Sequence, residues 1–196
     1  MNFLMMAAHD TITSSATSMV MLLGQNPEWQ DKLRAEMDGL GVNDDDLPYD
    51  RLGDLTLTEM AFKESLRFMA PVPSLPRRAL KPFSFGGYDF PVGTFVGIQI
   101  SHVHHMPEYW PEPEKFDPMR FTPEASKGRH KYAWVPFGGG AHMCLGLHFA
   151  YMQTKILMWH LLRTHRIDLA ETSGKKWQAW PIPKPRDGLP VTISAI

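Results

Sequence analysis

The sequence predicts a mainly α protein with small β-sheets, a fold class that follows from where its prolines lie. Residues 1–70 contain two of the 17 prolines, and residues 71–123 contain ten. Because proline interrupts helices and central strands, the chain is expected to begin with helices and to continue as loops and short strands. A strongly apolar stretch over residues 145–162 predicts a last, mostly buried helix, followed by an irregular tail.

Capping residues set the expected boundaries of the first helices. Residues 3–23 predict one helix, which Gly24 ends. Asn26 followed by Pro27 predicts the N-cap and first position of a second helix, which runs to about Met37. A surface loop is expected from there to the acidic residues 44–46.

Further elements follow from a capping box and from turn chemistry. The pattern Thr-Leu-Thr-Glu over residues 56–59 predicts the start of a third helix, which ends before Pro71. Two aromatic runs around a glycine pair predict a β-hairpin over residues 83–90. A further strand is expected over residues 95–100.

Composition places the chain among ordinary globular proteins and excludes several functions. With 43% hydrophobic and 21% charged residues and a net charge of -1, neither disorder nor a basic surface for nucleic acid is indicated. No apolar run approaches the roughly 18 residues of a membrane span, and the N-terminus lacks the basic region of a signal peptide. The single cysteine excludes an internal disulfide and fits a reducing, cytoplasmic compartment.

Cys144 lies in the most informative segment, four residues after the last of three consecutive glycines and at the start of the last predicted helix. Glycine lets the backbone approach another surface closely, and a helix N-terminus favours a thiolate. On its own, the pattern is also compatible with a buried structural cysteine beside a tight turn. A phosphate-binding loop is excluded by spacing, and a thiol hydrolase would need a neighbouring base that none of the nine histidines clearly supplies.

Residues 137–146 are called the cysteine loop below. They resemble the haem-binding signature of the cytochrome P450 family in the spacing of Phe137, Gly140, His142, Cys144 and Gly146. Three further motifs of that family occur in the expected order. Residues 7–11 resemble the oxygen-activation motif of the central I helix, residues 64–67 the Glu-x-x-Arg of the K helix, and residues 116–121 the segment that supplies a further arginine. By these four motifs the chain is identified as a member of the family over essentially its whole length.

The resemblance implies that Cys144 is the axial ligand to the iron of a haem b. Phe137, Gly138 and Gly146 match positions that surround the cofactor beside the sulfur. A cysteine thiolate makes a haem iron electron-rich, which favours O–O bond cleavage. Replacement of Cys144 by serine or alanine is therefore expected to abolish thiolate ligation.

Two polar side chains match positions that bind the haem propionates in the family. His142 stands where most family members have an arginine, and it can still donate a hydrogen bond to a carboxylate. A solvated loop histidine is the alternative. Arg77 resembles the second propionate-binding position, for which Arg78 is a rival.

Asp10 and Thr11 resemble the acid–alcohol pair beside the oxygen site of the family. A carboxylate and a hydroxyl there can relay protons through water. The alternative is an ordinary helix interior, in which Thr11 bonds back to a carbonyl and Asp10 is merely solvated. The motif departs from the family at Ala8, which replaces glycine, and at Ile12, which replaces a hydroxyl-bearing residue.

Glu64, Arg67 and Arg120 resemble the family's Glu-Arg-Arg triad. Glu64 and Arg67 are three residues apart, which places them on one face of a helix. In the family this pair meets the arginine matched here by Arg120. The role that the resemblance implies is architectural rather than catalytic.

The activity implied by the resemblance is that of a haem-thiolate monooxygenase of the soluble bacterial type. Such an enzyme inserts one oxygen atom from O₂ into a small apolar organic substrate, with electrons from NAD(P)H through a ferredoxin and ferredoxin reductase. Asp10 and Thr11 favour this over members that rearrange peroxides. The alternatives are a peroxide-using member and a non-catalytic fragment or haem-binding remnant.

Residues 1–196 are expected to form a partial P450 domain, from within the I helix to the C-terminus, without the N-terminal half. In that case apolar side chains at Leu4, Met5 and Met6 would be exposed and would promote association. The resemblance implies that a basic cluster at Lys127, Arg129 and Lys131 docks an acidic redox partner, with a solvated loop as the alternative. The histidines at 102, 104 and 105 are expected to lie in a solvated loop rather than to bind a metal.

Overall fold

Helices account for most of the regular secondary structure in the computed structural model, with short strands between and after them. The structure describes residues 2–42, 46–174, 176–179 and 181–196, with side chains from residue 7 onward. The surface loop predicted at residues 44–45 and the apolar side chains expected at Leu4, Met5 and Met6 lie outside this part.

Six α-helices occur within the described residues. They are α1 (Asn2–Gln25), α2 (Pro27–Gly39), α3 (Thr56–Phe68), α4 (Ile100–Val103), α5 (Pro123–Ser126) and α6 (Leu147–Leu162). Short 3₁₀ turns span Tyr49–Asp54, Pro118–Phe121 and Gly140–His142. The first three predicted helices and the last one are confirmed to within a few residues at each end.

The strands pair two by two, always antiparallel. In order they are β1 (Ser74–Arg78) with β4 (Phe95–Gln99), β2 (Phe83–Phe85) with β3 (Tyr88–Phe90), β5 (His165–Leu169) with β8 (Val191–Ala195), and β6 (Trp177–Gln178) with β7 (Lys184–Pro185). The predicted hairpin and fold class are confirmed. The predicted irregular tail is wrong, because the described residues after α6 contain four short strands, of which β5 pairs with β8 and β6 with β7.

The glycine pair of the hairpin has the backbone conformation that its turn requires. Gly86 and Gly87 both have positive φ angles, 60° and 83°. Tight two-residue hairpin turns of this kind need φ > 0 at both central positions, which glycine adopts without steric cost. The hairpin prediction therefore succeeded because its determinant is local.

The core forms where α1, α2, α3 and α6 meet. Its fully buried side chains include Met19, Leu23, Leu33, Met37, Phe62, Met158, Trp159 and Leu162. Gln30 on α2 is also fully buried, and it donates to the Leu23 carbonyl and exchanges two hydrogen bonds with the backbone of Ile167 on β5. This side chain closes the gap between helix and strand without leaving a buried amide unpaired.

Helix α6 differs from its prediction as a mostly buried helix. Its buried residues lie on one stripe, with Lys155, Trp159 and Leu162 among them. Phe149 and Leu157 are 55% and 43% exposed. The helix therefore also has apolar side chains on its exposed side, because the described chain covers only one of its faces.

The start of α3 is capped from a different helix than the sequence predicts. Glu36 on α2 accepts hydrogen bonds from the backbone N–H groups of Leu57 and Thr58 and from the Thr58 hydroxyl. Glu59, which the capping box would use, instead binds Lys155 on α6 at 2.7 Å. The predicted capping box is therefore wrong: Glu59 pairs with Lys155, and a carboxylate from α2 accepts from N–H groups of the first turn.

Gly24 does not end α1, which continues to Gln25, and its lack of a side chain serves packing instead. A Cβ at this position would lie 2.6 Å from Cγ of Leu169 on β5. Glycine here lets the helix and the strand approach closely. The helix ends within two residues of the predicted position, but packing against a strand far along the chain explains the glycine rather than a helix stop.

We expect Gly24→Ala to lower the free energy of unfolding, measured by urea denaturation. Overpacking costs about 1–3 kcal/mol, against at most about 1 kcal/mol gained from the better helix propensity of alanine. Gly39→Ala at the end of α2 is the matched control, because a Cβ there meets nothing within 4 Å. Equal effects of the two substitutions would contradict the packing role, as would failure of Leu169→Ala to relieve Gly24→Ala.

Candidate functional site

Helix α3 carries a fully buried ion pair at the centre of the site. Arg67 donates from Nε to Glu64 Oε2 at 2.8 Å and from Nη2 to Oε1 at 3.0 Å, and both side chains are 0% exposed. Arg67 also donates to the backbone carbonyls of His104 and Pro113. The guanidinium is thus surrounded by acceptors, as a buried charge requires.

Arg120 joins this pair from the 3₁₀ turn Pro118–Phe121. Its Nε lies 3.4 Å from Glu64 Oε1, close enough for an ion pair. Its terminal nitrogens donate to the carbonyls of Pro111 and Glu112. Glu64 Oε1 also accepts the Asp117 N–H at 3.0 Å, so one carboxylate ties α3 to this whole connecting segment.

The segment that leads to the cysteine loop is held by three hydrogen bonds from other elements. Trp110 Nε1 donates to the Ala133 carbonyl at 3.3 Å, and Trp134 Nε1 donates to the Lys63 carbonyl on α3 at 3.2 Å. The Val135 N–H donates to Nε2 of His104 at 2.9 Å. The base of the loop is therefore fixed to the elements that carry the buried ion pair.

His104 is fully buried, so the expectation of a solvated histidine loop is wrong for this residue. Burial, and next the positive charge of Arg67, lower the pKa of His104 to about 4. His102 is exposed and His105 is half-buried, with its ring edge-on to Phe68. No local signal separates His104 from its neighbours, because its burial depends on long-range packing.

The cysteine loop is closed by a backbone hydrogen bond across its mouth. The Cys144 N–H donates to the Phe137 carbonyl at 2.9 Å. Gly138 and Gly140 both have φ of 72°, a conformation that glycine favours. The ring of Phe137 packs against Tyr151 of α6, with 5.8 Å between ring centres, which anchors the loop to the last helix.

The Cys144 thiol is free and exposed, two residues before Gly146, the N-cap of α6. The apolar side chains on either side, Met143 and Leu145, are 50% and 97% exposed. Exposed apolar groups around a free thiol form a surface suited to an apolar ligand rather than to water. A buried structural cysteine, the alternative interpretation, is therefore wrong.

Strand β1 runs beside the cysteine loop. A Cβ on Gly138 would lie 3.8 Å from Cδ1 of Leu75. Because side chains alternate along a strand, Arg77 shares a face of β1 with Leu75 and Arg78 lies on the other face. Arg77 is exposed, and its guanidinium donates to the neighbouring Pro76 carbonyl.

His142 is exposed at the end of the 3₁₀ turn Gly140–His142, immediately before Met143 and Cys144. The turn is held by the Met143 N–H, which donates to the Gly140 carbonyl at 3.2 Å. The imidazole therefore lies on the same short segment as the thiol.

Asp10 and Thr11 lie on α1, and their hydrogen bonds are made within that helix. The Thr11 hydroxyl donates to the Ala7 carbonyl at 2.7 Å. Asp10 Oδ1 lies 2.9 Å from Nδ1 of His9, and both of these side chains are well exposed. This is the back-bonded arrangement that the sequence left as an alternative to a proton relay.

The predicted basic cluster contains one residue that is not free. Arg129 is half-buried, donates to the carbonyls of Arg120 and Ala125, and lies with its guanidinium 4.1 Å from the ring centre of Trp110. Burial is the main cause that lowers its pKa. Lys127 and Lys131 remain exposed.

The fold and the site define a helical protein that presents one thiol from a loop anchored on a buried ion network. A family model described as cytochrome P450 matches residues 1–186. The chain belongs to the cytochrome P450 family, which confirms the family resemblance and the partial P450 fold.

Relatives and solved structures agree with this assignment. Putative cytochrome P450 136 from Mycobacterium tuberculosis is 40% identical over 195 residues, which are 98% of this chain and 39% of the relative. Human cytochrome P450 4X1 is 34% identical over 94% of this chain and 36% of its own length. A solved structure described as retinoic acid bound cyanobacterial CYP120A1 superposes with a TM-score of 0.93 at 34% identity, covering 99% of this chain and 45% of that one. The chain thus spans about two-fifths of the proteins that it matches.

Cytochromes P450 bind haem b, so the predicted cofactor is confirmed for the family. The residues present fit that group: a free, exposed thiol as ligand, apolar side chains beside it, and the exposed His142 and Arg77 as donors to carboxylates. No helix in the described ranges is both long enough and apolar enough to cross a membrane.

Proposed function

We propose that this chain is the haem-thiolate part of a cytochrome P450 monooxygenase. The reaction inserts one oxygen atom from O₂ into a small apolar organic substrate. Electrons come from NAD(P)H through a ferredoxin and ferredoxin reductase. The observation that carries the proposal is the free, exposed Cys144 thiol, held in a loop whose base is fixed to the buried Glu64–Arg67 pair.

In this proposal Cys144 is the axial ligand. A haem bound through a cysteine thiolate has an electron-rich iron, which favours O–O bond cleavage. The chain's part is to hold the sulfur in place: the Cys144 N–H is tied to the Phe137 carbonyl, and Phe137 is packed on α6. A Cβ on Gly146 would lie 3.9 Å from Cys144 Sγ, so glycine keeps this space beside the thiol open, and a Cβ on Gly138 would lie beside Leu75.

His142 and Arg77 are proposed to donate to the two propionates. The position of Arg77 on the strand face of Leu75, which lies beside Gly138, favours it over Arg78 for this role. His142 lies two residues from the thiol on an exposed turn. Both side chains are free to turn toward a carboxylate, because neither is buried.

Asp10 and Thr11 are proposed to deliver protons at the oxygen site. The Asp10 carboxylate is exposed, so a water chain can reach it, and His9 lies 2.9 Å from it as a second group able to exchange protons. The Thr11 hydroxyl donates to Ala7 and keeps its lone pairs available to accept from a water.

A location in the cytoplasm stays a prediction.

The test is the reduced carbon-monoxide difference spectrum of the chain produced with haem. We expect the spectrum typical of thiolate ligation, and we expect Cys144→Ala to lose it entirely, since the chain has no other cysteine. Met143→Ala is the matched control, because it removes an exposed neighbour and leaves the thiol in place.

A thiolate-type spectrum that survives in Cys144→Ala, or an imidazole-type spectrum in the unmodified chain, would contradict the proposed ligand. Turnover then separates the reaction types. A monooxygenase oxidises substrate with reduced ferredoxin and O₂, whereas a family member that turns over with peroxide but not with reduced ferredoxin is a peroxide-using enzyme.

A further inference from the structure

His104 connects the two halves of the site through its backbone and its side chain. Its carbonyl accepts from Nη1 of Arg67 at 2.9 Å, and its Nε2 lies 2.9 Å from the Val135 nitrogen. A backbone N–H can only donate, so Nε2 must be the unprotonated acceptor nitrogen of a neutral ring. The imidazole is fully buried, which makes this hydrogen bond inaccessible to competing water.

Val135 is the point from which the cysteine loop departs. Its carbonyl accepts the Gly138 N–H at 3.0 Å, which begins the turn. Two residues after Val135, the Phe137 carbonyl accepts the Cys144 N–H at 2.9 Å, which closes the loop. The peptide group of Val135 therefore sets the orientation of the frame that carries the thiol.

We propose that His104 is a positioning residue for the cysteine loop. Its Nε2 accepts the Val135 N–H and so ties the start of the loop to the residue whose carbonyl Arg67 binds. Through this hydrogen bond, the position of the loop depends on the position of the buried Glu64–Arg67 pair. The proposal rests on the proposed function only for what Cys144 binds, because the contact itself lies within this chain.

Burial supports the neutral form that this role needs. Loss of solvation first, then the Arg67 charge and that of His105, keep the pKa of His104 near 4. The proton of the neutral ring is on Nδ1, because Nε2 accepts from Val135. The carbonyls of Leu66 and Arg67 raise the pKa of His104, but the lowering by burial is larger.

The first test needs no substitution. In the ¹⁵N-labelled chain without haem at neutral pH, we expect a scalar coupling across the hydrogen bond between the Val135 nitrogen and Nε2 of His104. We also expect the ¹⁵N shift of Nε2 to be that of an unprotonated ring nitrogen. A proton on Nε2, or absence of the coupling in the folded chain, would overturn the proposal.

The second test compares variants by amide hydrogen exchange. His104→Leu removes the acceptor, and we expect the Val135 amide to exchange about 5- to 150-fold faster, as for a buried donor without a partner. His104→Gln places an oxygen near the position of Nε2 and is expected to restore slow exchange. His105→Gln is the control, because the ring of His105 contacts the Ser101 carbonyl and not the loop.

Amides of β5 and β8, remote from the loop, report global unfolding. Equal exchange of Val135 in His104→Leu and His104→Gln, after correction for this global term, would show a volume effect and overturn the proposal. In haem-loaded protein we expect a smaller thiolate-type fraction in the carbon-monoxide spectrum of His104→Leu, restored in His104→Gln. If Cys144 proved not to be the ligand, the proposed function would fail while the coupling and exchange results still decided the role of His104.

Discussion

Glu64→Gln is expected to destabilise the chain by about 3–5 kcal/mol, the cost of removing one partner from a buried ion pair. The substitution preserves the volume of the side chain and removes its charge. It leaves Arg67 fully buried and Arg120 nearly so, without the carboxylate that faces both. The measurement is the free energy of unfolding in urea at neutral pH.

Asp54→Asn is the matched control. Arg51 and Asp54 form an ion pair with the same spacing of three residues, but their side chains are 37% and 48% exposed. Exposed pairs contribute about 0–1 kcal/mol, so the control should change stability little. If Glu64→Gln cost no more than Asp54→Asn, the Glu64 network would not be the structural centre that its burial indicates.

The parts of the fold that could be predicted from the sequence have local determinants. The Gly86–Gly87 turn needs positive φ angles that only its own residues supply. Asn26 and Pro27 mark the start of α2, although the Asn26 side chain donates back to the Leu22 carbonyl instead of capping the helix. The boundary was correct because proline at the first helical position is itself a sufficient signal.

The parts that could not be predicted depend on contacts between distant segments. A glycine near the end of a predicted helix is typical of a helix stop. At Gly24 only the close approach of Leu169 explains why the residue is glycine. Glu36 caps a helix that begins about twenty residues later, which no local pattern specifies. The pairing of β5 with β8 joins segments on either side of the tail, so that each strand alone resembles an irregular stretch.

The candidate site shows the same division. Motif spacing predicted roles for Cys144, Glu64, Arg67 and Arg120 without any structure, because the resemblance depends on sequence order. The burial of His104 could not be inferred, since three histidines within four positions suggest solvation. Arg129 was assigned to an exposed cluster for the same reason, although it packs on Trp110.

The stability of the chain is expected to fall by roughly 3 kcal/mol between pH 6.5 and pH 4 through His104 alone. The pKa of its imidazole is about 4 in the folded chain, against 6.5 as its ordinary value. Between these values the unfolded chain binds a proton that the folded chain does not, so stability is lost as the pH falls. The magnitude follows from about 1.4 kcal/mol for each pH unit between the two values.

The contribution of His104 can be separated from that of the carboxylates by a difference curve. The free energy of unfolding of the unmodified chain and of His104→Gln is measured by urea denaturation from pH 8 to pH 4 at constant salt. Because glutamine does not titrate, the variant should lose less stability across the window, whatever its stability at pH 8. Glu59 titrates in both proteins, and its pKa is low because hydrogen bonds from Lys155 and Lys63 outweigh the effect of burial. Parallel curves would mean that the imidazole gains its proton equally in both states, which a buried ring that accepts the Val135 N–H cannot do.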